Sequence, residues 1–532
     1  MEVNLWLTTF LAGRRSKLGD PYGLHQVVII GAGPGGLGAA LLLAKAGLDV
    51  TVLERLSVIG GRCSPITING YRFDRGPTFL HYPCALKSIF RAVGKELEEE
   101  VPMVRLDPMY RLFLGERGYL DATADIAQME AHIAKFQPRD CKGFEQFLKD
   151  NDGKFQRVIR TLQRPFDGLR DLFSSEILNL LPVLRPFTSL QQDMRKFFSD
   201  PDLQVAFTFQ SKYLGMAPDR CPSMFSILSY LEYAYGIFHP IGGCNAVPQK
   251  LAKLSKELGA KFHLNQEVQE IRFEGRRPVA VKTQDAEFPC DLLVINADFA
   301  RAMERLVPNV LRRRWSDEKL RSKKYSCSTF MLYLGIEGQV ENLLHHNIYI
   351  PPHYREYLDD VDVRHVLSDA PAFYVQNATL TDPTLAPPGH STLYILVPVT
   401  HQHPNVNWDQ ERARYREVVL DNLTRIGIPD LRSRIRAELV WTPADWEAWQ
   451  IYRGATFNLA HSLDQMLIFR PHNRFEELER TYLVGGGTHP GSGLPTIFES
   501  ARISAKLILE DLGRDARFLA PGPMEPPLIQ LT

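Results

Sequence analysis

Apolar positions along the chain follow two rhythms. Short unbroken runs, among them Val27 to Ile30, Val50 to Leu53 and Leu292 to Ile295, have the length of buried strands. Longer stretches place apolar residues three or four positions apart and read as helices. The first run leads into glycines at 31, 33 and 36, in the order G-x-G-x-x-G. An Ala/Leu-rich helix then stops at Gly47, and a second strand ends on Glu54. That order of strand, turn, helix, strand and acid specifies a dinucleotide-binding unit. Gly31 permits the tight turn, Gly33 lets the backbone approach a pyrophosphate, and Gly36 lets helix and strand pack closely. The helix N-terminus faces the phosphates. Glu54, with its neighbour Arg55, lies where ribose hydroxyls need an acceptor.

Val27 to Ala44 carries no charge, which raises a membrane span as a competing reading. Five glycines and a proline interrupt it where a phosphate loop needs them, so the span is rejected. Gly60–Gly61–Arg62 follows shortly after Glu54. A second glycine turn with an arginine exceeds what a nicotinamide dinucleotide requires and points to FAD. An ordinary surface salt bridge between Arg62 and Asp74 is the plainer alternative. Residues 66–80 read as a hairpin around Asn69–Gly70.

Further along, Tyr110 to Leu114 is a strand, and residues 125–200 show helical spacing. Within it, Ser175 to Phe187 holds one acid and one arginine among leucines and prolines. It reads either as a buried helix pair or as an apolar surface that dips into a membrane. Residues 222–238, rich in aromatics with a single charge, read equally as core or as the wall of an apolar cavity. A helix at 246–258 and strands at 261–264, 268–273, 279–283 and 292–295 return to the nucleotide sheet, with Val268 near the adenine. Strands at 328–335, 373–375 and 393–399, the amphipathic helix 409–426 and the cluster of Trp441, Trp446 and Trp449 form a second sheet with helices. No catalytic constellation shows there. Finally a strand at 481–484 ends in Gly485 to Gly487, and another Gly/Pro turn opens a helix near Pro495. Gly486, Gly487 and Pro495 are thereby expected at the flavin.

The expected fold class is α/β: a Rossmann-type FAD-binding domain assembled from discontinuous segments, with an inserted α+β substrate domain and a helical, membrane-contacting part as one of its readings. Its segments are an N-terminal tail 1–23, FAD-binding parts 24–106, 239–300 and 476–513, substrate parts 107–238 and 301–475, and a C-terminal tail 514–532.

Composition narrows the partners. Lys plus Arg equals Asp plus Glu at 62 each, so no strong overall field recruits nucleic acid. Seven dispersed cysteines without a C-x-x-C pair fit reduced thiols in the cytoplasm, and neither they nor the scattered histidines suggest a metal site. Val3 to Ala12 is mostly apolar with basic residues after it, the wrong order for a secretory signal. It reads as a loosely docked tail, or as a short interfacial anchor.

Together the glycine loop, the FDRGPT segment, FHPIGGCNAVPQKLAKL, Asn296–Ala297–Asp298, FRPHNR at 469–474 and YLVGGGTHPGSGLP resemble the bacterial-type phytoene desaturases of the FAD-binding amine-oxidase-like superfamily. The resemblance spans about Gln26 to Gly513. Many members carry G-A-G-I-P or G-G-G-I-P where this chain has Gly491 to Pro495 reading GSGLP, which leaves open C40 phytoene, a C30 diapo-carotene or squalene-type precursor, and an already desaturated chain as substrate. The resemblance implies hydride transfer from a polyene to FAD, loss of a proton from the neighbouring carbon, reoxidation by oxygen or a membrane quinone, and a cytoplasmic, peripherally membrane-associated enzyme. Carotenoid cis–trans isomerisation, saturation and terminal-methyl oxidation are alternatives in the same family. An amine oxidase and a non-enzymatic prenyl-binding escort are further ones. No side chain is assigned as the base. Glu499 reads as a surface or capping residue, with contact to the flavin region as the alternative.

Overall fold

The computed structural model describes residues 25–185, 187–428, 430–522 and 524–529. The expected N-terminal tail and its anchor reading lie outside them.

The first three elements are strand β1 (Gln26–Ile30), helix α1 (Pro34–Lys45) and strand β2 (Asp49–Leu53). Pro34 occupies the first turn of α1, where its missing N–H costs nothing. Gly47, at φ +77°, ends the helix with its N–H on Ala44 O (2.9 Å). From Pro34 to Ala44 every residue of α1 is buried, which is why the run carries no charge. The helix is sandwiched between its sheet, the helix Ala246–Glu257, and helix α2 (Leu494–Asp511).

Strands β3 (Lys261–His263), β4 (Leu292–Ile295) and β5 (Thr481–Leu483) complete a five-stranded parallel sheet in the order β3-β2-β1-β4-β5. Three remote parts of the chain thus meet in one sheet, and the loops after β1 and β5 emerge at its carboxyl edge.

A seven-stranded sheet forms the other half. Its order is Ile435–Trp441, Ser328–Glu337, His390–Val399, Phe373–Asn377, His346–Ile350, Tyr110–Leu114 and Tyr119–Ala122. Only the pair His346–Ile350 and Tyr110–Leu114 runs parallel. Strand alternation sends the two faces to different tasks. Phe330, Leu332, Leu334, Leu393, Ile395 and Val397 pack under the helix Trp408–Leu423. The intervening Met331, Tyr333, Tyr394 and Leu396 face the hairpin of Tyr71 and Phe73 and the interior.

Helices Ile126–Phe136, Gly143–Leu162, Ser175–Leu184 and Ile227–Tyr235 build a third core around Phe144, Phe147, Phe155 and Phe207. Residues 222–238 belong to this core, and none of them lines the cavity described below. The wall reading of that stretch is therefore wrong. Ser175–Leu184 is two-faced: Ile177, Leu180 and Val183 are buried, while Leu178 and Leu181 are exposed. The expectation of a buried pair holds for one face only. The C-terminal stretch, expected as a tail, is docked. Glu525 pairs with Lys87 (2.9 Å) and Arg91 (3.3 Å), and Ile529 is buried.

Candidate functional site

One cavity of about 460 Å³ runs from the carboxyl edge of the parallel sheet to the open face of the seven-stranded sheet. Gly31 and Gly33 line its start, with Glu54, Arg55 and Val268 on one side. Gly61, Arg62, Gly486 and Gly487 line its middle. Gly36, Gly60 and Pro495 do not line it, and their expected contacts become supporting roles. A Cβ on Gly36 would stand 2.3 Å from Gly31 O, so this glycine closes helix onto strand. Gly60, at φ +110°, ties the second turn to the first through its N–H on Ala32 O (2.8 Å). Pro495 starts α2, whose neighbouring Leu494 and Ile497 reach the cavity instead.

At Gly33 an added Cβ would meet only Asn296 Nδ2, at 3.1 Å. The hydrogen in its place keeps the loop open toward the cavity and the α1 N-terminus beyond it. A Cβ on Gly61 would stand 3.2 Å from Gly33 Cα, which shows the two glycine turns in direct contact. The resulting cradle of unshielded backbone at a helix N-terminus suits a pyrophosphate.

Glu54 is buried. Its Oε2 accepts from Ala32 N–H (2.8 Å) and its Oε1 from Leu56 N–H (3.0 Å), leaving one lone-pair position on each oxygen. Burial pushes its carboxyl upward against the pull of those two hydrogen bonds. Arg55 donates to Trp449 O (2.9 Å) and lies over the Trp449 ring, so the tryptophan cluster buttresses the nucleotide end.

Arg62 pairs with Asp298 (3.2 Å), not with Asp74. Asn458 lies between the two, its amide nitrogen toward Asp298 (2.8 Å) and its oxygen toward Arg62 (3.2 Å) when oriented by those neighbours. Asp74 instead accepts the backbone N–H groups of Cys244 (2.9 Å) and Asn245 (3.2 Å), so the surface salt bridge is replaced by a buried turn clamp. Asp298 also caps the helix Phe299–Leu306 by accepting Arg301 N–H (3.2 Å).

Sequence reasoning left several contributors unassigned. Asn296 donates to Gly31 O (3.0 Å) and touches the positions of Gly33, Gly35 and Gly485. Arg470, fully buried, donates to Thr488 O, Leu459 O and Gly486 O (2.7 Å for the last) and thereby shapes the triple-glycine turn. Burial without an acid partner pulls its guanidinium down to about 9. Both residues stood in motifs already noted, Asn296–Ala297–Asp298 and FRPHNR, but their roles depend on contacts across the sheet. Glu499 is neither surface nor flavin-facing. It is buried against Arg502, whose Nη2 also reaches Gln163 O (2.7 Å).

Beyond Gly76 to Phe79 the cavity wall turns apolar: Ile348, Ile350, Phe373 and Leu396, with Tyr357 and Tyr394. Tyr394 donates to Gly76 O (2.7 Å) and Tyr357 to Pro398 O, so these rings present carbon rather than hydroxyl to the space. The acids among the lining residues, Glu54, Glu267 and Asp298, all belong to the nucleotide end.

Fold and cavity define a class of dinucleotide-dependent oxidoreductases with an apolar substrate space. The family model for flavin containing amine oxidoreductases matches residues 34–509. The 4,4'-diapophytoene desaturase (4,4'-diapolycopene-forming) of Methylomonas sp is 42% identical over 91% of this chain and 95% of its own length. The all-trans-zeta-carotene desaturase of Myxococcus xanthus is 38% identical over 95% of this chain and 97% of its own. Among solved structures, an oxidoreductase from Methanosarcina mazei superposes with a TM-score of 0.60 at 19% identity, covering 90% of this chain and 98% of that one. The chain belongs to the flavin containing amine oxidoreductase family, in the desaturase group that its motifs resemble. It is a flavoprotein oxidoreductase with FAD as cofactor.

Proposed function

We propose that this flavoprotein introduces C=C bonds into a long apolar isoprenoid of the phytoene (C40) or diapophytoene (C30) class. The observation that carries the reading is the continuity of one cavity from the glycine cradle to an aliphatic and aromatic wall that holds no carboxylate among the described residues. A hydrocarbon suits such a wall, and a cationic amine finds no anion in it. Among the described residues Lys212 is the one cation lining that end, and its ammonium is buried and turned toward Asp362 (3.7 Å). The relatives named for desaturation of 4,4'-diapophytoene and zeta-carotene support the same reading.

In it, Gly31, Gly33 and the α1 N-terminus hold the pyrophosphate, while Glu54, Arg55 and Val268 face the adenosine. Gly61 and Arg62, backed by Gly60, with Gly486, Gly487 and the start of α2 at Pro495, surround the flavin end. Segments 24–106, 239–300 and 476–513 make the FAD-binding domain, and 107–238 with 301–475 the substrate domain, its two parts joined through one sheet. FAD bound there supplies the hydride acceptor. The chain positions the polyene along the wall, and burial of that wall keeps water from the reacting carbons. Oxygen or a quinone takes the electrons onward.

The same reading places the enzyme on a membrane surface. Leu169, Phe173 (81% exposed), Leu178, Leu181 and Phe187 (96% exposed) are exposed apolar side chains within residues 169–187, a stretch that also carries Arg170 and Arg185. That combination suits shallow insertion with arginines at head-group level. No helix among the described residues is long and apolar enough to cross a membrane.

Expression in hosts that make either C30 or C40 precursors, followed by pigment analysis, tests the activity. A more desaturated, coloured polyene in at least one host is expected. Unchanged precursor in both, from enzyme that carries its flavin, would sink the proposal, and a changed double-bond geometry or a terminal aldehyde would move it to one of the alternatives.

A further inference from the structure

Desaturation sets a proton free as well as a hydride, and the apolar end of the cavity holds no carboxylate among the described residues to take it. The titratable side chains that line that end are Lys212, His81 and several tyrosines. A phenol is a base only after losing its own proton, and burial pushes the hydroxyls of Tyr213, Tyr354, Tyr357, Tyr374 and Tyr394 up. The Lys212 ammonium has no lone pair to offer. His81 is left.

Its place is fixed by the backbone. Gly76 packs on Arg62, where a Cβ would stand 2.8 Å from Arg62 O, and the segment from Gly76 to Phe79 lines the cavity as it leaves the flavin end. His81 follows on the short strand Leu80–His81, which is held by pairing of Leu80 with Phe238 and of His81 with Ile237. Leu80 is buried in the core of the nucleotide half, and alternation turns His81 the other way, onto the cavity. Its ring lies beside Tyr213, with 6.2 Å between centroids and 29° between planes. Nδ1 is buried without a hydrogen-bond partner, so Nε2 is the nitrogen left to meet a bound chain. Shutting away an unbonded imidazole nitrogen destabilises the fold, a cost that a ring placed only for packing, such as phenylalanine, would avoid. Burial alone pushes the imidazole down to about 4, so at neutral pH it is uncharged and keeps a lone pair. A neutral base is also the kind that an apolar wall holds without a counter-ion.

We propose that His81 is the catalytic base of the desaturation and takes the substrate's proton on Nε2. The proposal rests on the desaturase reading. As hydride leaves one carbon for the flavin, positive charge develops there, and the C–H bond of the neighbouring carbon becomes strongly acidic. That bond breaks, its proton passes to Nε2, and its electron pair becomes the second bond of the new C=C. A weak neutral base suffices for so acidic a proton. The same weakness completes the cycle. Once product leaves, Nε2 gives the proton to water entering the cavity, a release that is favourable at neutral pH. The proton therefore needs no path through the protein interior, and the hydride's electrons pass separately to oxygen or a quinone.

The test is anaerobic flavin bleaching by phytoene or diapophytoene in liposomes, for wild type, His81→Phe and His81→Ala. Phenylalanine keeps a ring against Tyr213 but carries no lone pair, and alanine opens room for an added base. Variants that hold their flavin are expected to bleach about 100-fold more slowly at saturating polyene, with the half-saturating concentration unchanged. Imidazole in the buffer is expected to raise the rate of His81→Ala about tenfold, whereas furan, a ring of the same size without a basic nitrogen, leaves it unchanged. His81→Phe at the wild-type rate overturns the assignment. So does a slow His81→Ala that responds equally to both rings or to neither, which marks a packing role. If His81→Ala loses its flavin, His81→Phe decides by rate, and loss of flavin from both overturns the assignment as well. Wild type left unbleached by both polyenes defeats the desaturase reading instead.

Discussion

At Gly33 and Gly36 the same residue type does two separable jobs. A side chain at 33 meets only the flexible end of Asn296, whereas one at 36 would be driven into the carbonyl of Gly31. Gly33→Val is thus expected to fold yet lack bound flavin, read from the flavin absorbance of purified protein. Gly36→Val is expected to fail as soluble protein. A Gly33→Val variant that retains flavin would remove the pyrophosphate from this loop. Glu232 makes a second prediction at this scale. It is fully buried, accepts from Gln210 (3.0 Å) and Tyr110 (3.2 Å), and burial outweighs those bonds to push its carboxyl from the ordinary 4.5 up to about 7. A raised carboxyl binds its proton more tightly when folded. Its stabilisation is complete below the unfolded value and is lost as pH rises through about 7. The shift corresponds to about 3 kcal/mol at most. Glu232→Gln, which keeps an acceptor for both donors, should flatten this loss: denaturant midpoints at pH 8 should rise above wild type and converge with it near pH 4. Parallel pH profiles for the two proteins would refute the assignment.

Among the elements, legibility tracked sequence separation. The β1–α1–β2 unit is read from adjacent residues, because strand length, glycine spacing and the uncharged helix all act within about 30 positions. The hairpin at Asn69–Gly70 is equally local, since turn chemistry fixes register. Arg62 found its partner 236 positions away, and the wrong one was nearer in sequence. The helix Ser175–Leu184 is an intermediate case: its composition raised both readings, and the fold buries Ile177, Leu180 and Val183 while leaving Leu178 and Leu181 exposed. Phe173→Ser with Leu178→Ser and Leu181→Ser should abolish co-flotation with liposomes while changing stability by less than about 0.5 kcal/mol per site, as expected for exposed positions. Unaltered co-flotation would remove these side chains from membrane contact.

For the molecule as a whole, the decisive arrangement is that one cavity is shared by two halves with separate cores. The glycine cradle stands on the parallel sheet and its core of Leu37, Leu41, Val50 and Ile503, whereas the apolar wall stands on the seven-stranded sheet. Perturbing the wall should therefore leave the cofactor in place. Ala372 lines the apolar end and is 6% exposed, and a larger side chain there must fill the space or strain the sheet at a cost of about 1–3 kcal/mol. Ala372→Trp is expected to retain flavin with the wild-type spectrum, to melt a few degrees lower, and to lose activity on long polyenes before short ones. Because a longer chain needs more of the wall, the C30-to-C40 product ratio in a host making both precursors should rise relative to wild type. Loss of flavin in this variant would show that the two halves are energetically coupled. An unchanged product ratio at reduced stability would show that the substrate's far end lies elsewhere, since a filled wall cannot admit the chain it was built to hold.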